Sequence, residues 1–132
     1  MSAKKVNKKK HKFEFSVDRS KWYTGGLLVK GDKPSEDTMC VLGFLGKKLG
    51  ADRSALSNCG SPTGLPKEFH KKLHKLGLLG CMNGFPTETE IADEIMEVND
   101  AHAPNKDTEK NLKSLFKKLD IKVNFIGKYA SR

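Results

Sequence analysis

The sequence predicts an α+β fold: a small two- to three-stranded antiparallel sheet, its N- and C-terminal strands paired, packed against about four helices. Three observations lead there. Phe13, Phe15 and Val17 alternate with Glu14, Ser16 and Asp18, the period of two that marks a half-buried strand. Near the other end Ile121, Val123 and Phe125 alternate with Lys122 and Asn124 in the same way. Between these segments apolar residues recur at helical spacing, as in Leu65, Phe69, Leu73 and Leu76. The two terminal strands have no nearer partner, so they are expected side by side and antiparallel, bringing the ends of the fold together.

Each intervening element has its own signal. Leu27-Leu28-Val29, entered through Thr24-Gly25-Gly26, is expected as a short third strand. Thr38 can cap a helix from Met39 to about Leu49, with Gly50 as its stop. Val41, Leu42, Phe44 and Leu45 make that helix apolar on nearly every side and therefore central, with Lys47 and Lys48 at its wet end. Asp52 opens a short turn with Leu56 facing inward, and residues 58–64 read as a loop. A helix from about Leu65 or Pro66 to Leu76 follows, closed by Gly77. Met82-Asn83-Gly84-Phe85-Pro86 is expected as a second loop. Thr87, with Glu90 three residues on, forms a capping-box pattern for a third helix that buries Ile91, Ala92, Ile95, Met96 and Val98. Asp107 is expected to cap the last helix, striped by Leu112, Leu115, Phe116 and Leu119.

At 132 residues there is room for one domain with a single modest core. With 36% hydrophobic and 31% charged residues the chain is polar yet able to fold. No apolar run approaches the ~20 residues of a membrane span, and no apolar stretch follows the charged start as in a secretory signal. The expectation is a soluble protein of the cytoplasm, without membrane contact. The net charge of +9 is unevenly placed. Residues 1–12 hold Lys4, Lys5, Lys8, Lys9, Lys10 and Lys12 with no acid, whereas the rest carries 19 basic and 16 acidic side chains. The organisation is thus a disordered lysine-rich arm (1–12), one α+β domain (13–127) and a short tail (128–132).

Five constellations bear on chemistry. Cys40 opens a central helix, where the helix N-terminus lowers a thiol pKa, and the order Cys40, His70 or His74, then Asn99 or Asp100 is that of a papain-like hydrolase. Apolar Met39 and Val41 flank it, the setting of a buried structural thiol. With Cys59 and Cys81 there are three cysteines, unpaired by spacing, which excludes a disulfide framework. His70 and His74 share a helix face at i and i+4 and are the candidate metal ligands, Cys59 and Cys81 completing a set of four. No tight ligand pair of the Cys-x2-Cys kind is present, so no metal and no cofactor is expected. Lys67, Lys71, Lys72 and Lys75 surround these histidines and, with the arm, form a candidate nucleic-acid or acidic-partner surface. Lysine far outnumbers arginine, so binding there is expected to be independent of sequence. Glu90, Asp93, Glu94 and Glu97 recur at helical spacing as a candidate protein-docking face. Trp22-Tyr23 beside Arg19 and Lys21 is a stacking candidate, against the commoner role of a lone Trp as a core plug.

Three phrases of the chain, Asp18-Arg19-Ser20-Lys21-Trp22, Met39-Cys40-Val41-Leu42-Gly43-Phe44 and Asn99-Asp100, together resemble a family of small uncharacterised phage and prophage proteins. Leu27-Leu28, Ser61-Pro62 and the segment from Leu115 through Phe125 extend the resemblance over the folded body. Val41 stands where that family's second Cys is expected, and the lysine arm is an addition. The resemblance names no chemistry. It implies a viral accessory protein acting inside an infected cell, with its Asn99-Asp100 phrase as a turn cap. Since the sequence shows no clean catalytic set, the first expectation is a non-enzymatic protein that docks on a host or phage macromolecular complex, with counter-defence among such roles. The alternatives are a sequence-independent DNA- or RNA-binding protein, a Cys40-dependent hydrolase or transferase, and a minor virion structural protein.

Overall fold

The computed structural model describes residues 11–57, 59–101 and 103–130. Strand β1 (Phe13–Asp18) pairs with β4 (Ile121–Ile126), and Phe15, Val17, Ile121, Val123 and Phe125 turn the buried face of this pair inward. The pairing is parallel, with Phe13 opposite Ile121 and Asp18 opposite Ile126. The expected antiparallel arrangement is therefore wrong, although the partners are the expected ones. The reason lies in the connection. The last helix, Lys106–Lys117, packs along β4 and turns sharply into it through Asp120 (φ 60°). That helix makes the return journey across the sheet, so the strand after it starts beside Phe13, as in a helical crossover.

The third strand is also placed differently. Leu27–Val29 makes only an isolated bridge, Val29 to Thr38. A second sheet forms instead from β2 (Leu79–Met82) and β3 (Phe85–Glu88), an antiparallel hairpin where a loop was expected. Its turn is Asn83-Gly84, with φ of 53° and 84°. Positive φ at both central residues is the type I′ geometry that matches strand twist, and Asn-Gly is its preferred dipeptide.

Five α-helices occur among the described residues: α1 (Val41–Lys48), α2 (Arg53–Ser57), α3 (Lys67–Lys75), α4 (Glu90–Ala101) and α5 (Lys106–Lys117). Residues 41–46 of α1 are all buried, and Lys47 and Lys48 are exposed. The helix lies close enough to the 27–28 segment that a Cβ on Gly43 would sit 1.8 Å from the Leu27 carbonyl oxygen. Its expected cap, Thr38, is occupied in a two-way backbone pairing with Val29. Thr89 rather than Thr87 caps α4, accepting from Ala92 N–H at 3.3 Å while donating to Gly77 O at 2.8 Å. Thr87 belongs to β3. Asn105 rather than Asp107 caps α5, accepting from Thr108 N–H at 2.9 Å. Asp52, expected to open a short turn, accepts from Ala55 N–H at the start of the short helix α2.

One core holds these elements together. Trp22 is fully buried against Phe125, ring centroids 4.8 Å apart, and Phe15 meets Phe116 edge-on at 5.3 Å. Helices α4 and α5 pack on each other, and α1 packs on β1.

Candidate functional site

The three phrases that carried the resemblance meet at one side chain. Asn99, 1% exposed near the end of α4, accepts through Oδ1 from the Trp22 indole N–H at 2.8 Å and from Val41 N–H at 3.0 Å. Its amide donates to Asp100 Oδ1 at 2.9 Å and to Tyr23 O at 3.4 Å. Asp100 in turn accepts from Gly25 N–H at 3.1 Å. Asn99 thus caps α1 from a distance: Cys40 occupies the N-cap position in extended conformation without a side-chain cap bond, and the orphan N–H of Val41 finds its acceptor across the core. A second polar knot ties the strand ends. Arg19 donates to Glu109 through Nε at 2.6 Å and Nη2 at 2.8 Å, and the Tyr129 hydroxyl donates to the same carboxylate. Burial would raise the Glu109 carboxyl, but Arg19 and Tyr129 outweigh it and hold it below the usual range. Burial and Glu109 together push the Tyr129 hydroxyl up to about 12. These bonds position the fold, and their polar atoms are used up in doing so.

The thiol and imidazole candidates lie apart. Cys40 is buried, and that burial pushes its thiol up to about 11, the reverse of activation by a helix N-terminus. Among the described residues no hydrogen bond joins Cys40 to His70 or His74. His70 Nε2 lies 3.2 Å from Thr63 O, and His74 Nδ1 lies 3.0 Å from Leu79 O, so each ring is oriented by a backbone carbonyl. Cys59 is buried and donates to Ala55 O, whereas Cys81 is exposed on the hairpin. Among the described residues no group of three or more His, Cys, Asp or Glu side chains is gathered as a metal site, so His70, His74, Cys59 and Cys81 do not come together as one.

The charged candidates occupy separate helices. Lys67, Lys71, Lys72 and Lys75 are all exposed on α3, with Glu68 as the one acid of that helix. Lys72 Nζ reaches Leu49 O at 3.2 Å and stands 5.6 Å from the Phe69 ring centre. Lys12 is exposed just before β1, its backbone N–H bonded to Asp120. Lys4, Lys5, Lys8, Lys9 and Lys10 lie outside the described residues. Glu90, Asp93, Glu94 and Glu97 are exposed on α4. Trp22 points into the core, leaving Tyr23, 38% exposed, as the outer member of that pair.

Sequence reasoning missed the most exposed apolar pair. Met82 and Phe85 face each other across the hairpin turn at 64% and 71% exposure, well above any other large apolar side chain described. Every residue from Cys81 through Pro86 is exposed, and none is charged. The Asn83-Gly84 dipeptide was the available signal. Comparison with family models, with curated proteins and with solved structures finds no match to the chain.

Proposed function

We propose that this chain is a non-enzymatic binding module that docks on a macromolecular complex, the accessory role that the resemblance to phage proteins implies. The Met82–Phe85 pair carries the reading. Two large apolar side chains on a pre-ordered type I′ hairpin contribute little to the chain's own core. They suit the apolar anchor that fills a partner's pocket. The inward-turned Cys40 and the committed imidazoles support a binding role over catalysis.

The test places a photo-crosslinking amino acid at position 85 of the full chain in living bacteria. A discrete protein adduct that survives nuclease and disappears in the Met82→Ser variant is expected. Absence of any adduct would sink the anchor. A thiol reagent checks the non-enzymatic half: Cys81 should react in the folded protein and Cys40 only on unfolding. A Cys40 that reacts as fast as Cys81 would return the hydrolase or transferase reading.

A second reading, sequence-independent nucleic-acid binding, is favoured by the four exposed lysines of α3. Binding of labelled duplex DNA and single-stranded RNA across a salt series tests it. Lys71→Glu with Lys75→Glu should flatten the salt slope by about 2 if both lysines neutralise phosphates. An unchanged slope would confine any such binding to other residues.

A further inference from the structure

A cleft of about 630 Å³ runs beside β1, away from the hairpin residues considered above. Glu14, Ser16 and Asp18 of β1 and Asn124 and Ile126 of β4 line it from the outward face of the pair, and Phe15 lines it from the inward face. Successive side chains of a strand point to opposite faces, so a cleft lined by Phe15 as well as by Glu14 and Ser16 extends from the outward face round the edge of β1 that β4 leaves open. Among the described residues that edge is unpaired: β1 has β4 as its one strand partner, and no other element bonds the peptide groups of Phe13–Val17. In a strand paired on one side, alternate residues direct N–H and C=O away from the partner, a template for a further strand.

The walls restrict the occupant. Phe15, Met39 and Phe44 supply an apolar floor, and Lys21, Lys47 and Lys48 supply cationic groups. The two carboxylates present already serve neighbours: Glu14 accepts from the Asn124 amide at 2.9 Å, and Asp18 accepts from Ser20 N–H and Oγ–H at 3.0 and 2.7 Å. Lys21 donates to Ser35 O, while Lys47 and Lys48 form no ion pair among the described residues. Three lysines against two carboxylates leave the cleft a net charge of +1, with Lys47 and Lys48 its unpaired cations among the described residues.

We infer that the free edge of β1 is a binding site for an extended acidic peptide, which adds as a strand beside residues 13–18. Backbone hydrogen bonds supply the affinity, apolar side chains meet the floor, and carboxylates meet Lys47 and Lys48. This site stands independently of the hairpin anchor and goes beyond it.

The test titrates the isotope-labelled full chain with a blocked six-residue peptide of alternating valine and glutamate, read by NMR. Shift changes and slowed amide exchange are expected across Phe13–Asp18. The same peptide N-methylated at alternate positions should not bind, since it cannot complete the ladder. Lys47→Glu with Lys48→Glu, both on the exposed end of α1, should weaken binding about tenfold while leaving the unbound spectrum folded. Met82→Ser with Phe85→Ser should bind as wild type, which separates failure of this site from failure of the anchor. The inference is overturned by saturating shifts elsewhere, by equal binding of the N-methylated peptide, or by no binding. It is equally overturned if β1 shifts follow protein concentration instead of peptide, which would make a second copy the occupant.

Discussion

Asn99 and the 79–88 hairpin show two opposite uses of side chains in one small domain. At Asn99 polar atoms are inside, and each has a partner contributed by a segment 58 to 77 residues away. Among the described residues no buried side-chain nitrogen or oxygen lacks a hydrogen bond. At the hairpin the largest apolar groups are outside, held by a turn whose shape is local to Asn83-Gly84. The first arrangement is what a fold requires, because an unmet buried polar group is costly. The second is what a fold does not require, and the proposed docking role rests on it.

Breaking the interior knot should have the largest effect. Asn99→Ala removes the acceptor that the Trp22 indole and the Val41 N–H share in the core, and a loss of roughly 2–5 kcal/mol in urea unfolding is expected. A variant as stable as wild type would mean that the knot is ornamental. Next comes Glu109→Gln, which strands the partly buried Arg19 and should cost about 2–3 kcal/mol.

Acid titration sharpens the same contrast. Arg53 holds Asp37 down to about 2, and Arg19 with Tyr129 overcomes burial to hold Glu109 below its usual range. Both folded values lie under the unfolded ones. The stabilisation is therefore complete above the ordinary carboxylate range of about 4. It drains away as pH falls through the folded values, near 2 for Asp37. Asp37→Asn and Glu109→Gln should each flatten the acid limb of the stability curve between about pH 4 and 2. An unaltered limb would place the acid sensitivity in other groups. The smallest effect belongs to the hairpin: Met82→Ser with Phe85→Ser should move stability by under about 0.5 kcal/mol, since neither side chain is buried. A drop comparable to that of Asn99→Ala would fold the tip back into the structural account and remove it as an anchor.

The same contrast explains what could be read from the sequence. Stripes such as Phe69-Leu73-Leu76 and Leu112-Leu115-Phe116 name their own burial, because a helix's apolar face is written within a few turns. The strand alternations at 13–18 and 121–126 were legible for the same reason. Their direction was not, because a period of two reads identically forwards and backwards. Only the crossover by α5 decides it. The caps slipped by two residues at Thr89 and Asn105 because each has a similar residue, Thr87 or Asp107, within reach. The hairpin was obscured by Pro86, which argues against a strand but is tolerated on an edge. The role of Asn99 had no local signature, since its partners Trp22 and Val41 are distant in the chain. Cys40 had a misleading one: its place at a helix start suggested activation, while the surrounding apolar bulk decides the opposite.

The parallel pairing of β1 with β4 also sets a timetable for biosynthesis. Lys12 and Asp120 are bonded across 108 residues, so a ribosome adding ~5–20 residues per second delivers β4 about 5–20 s after β1. Throughout that interval Phe13, Phe15 and Val17 have no sheet to join, and the helices must gather without it. The nascent chain therefore carries an open, aromatic-rich strand until β4 arrives, a window in which holdase chaperones or neighbouring chains compete for it.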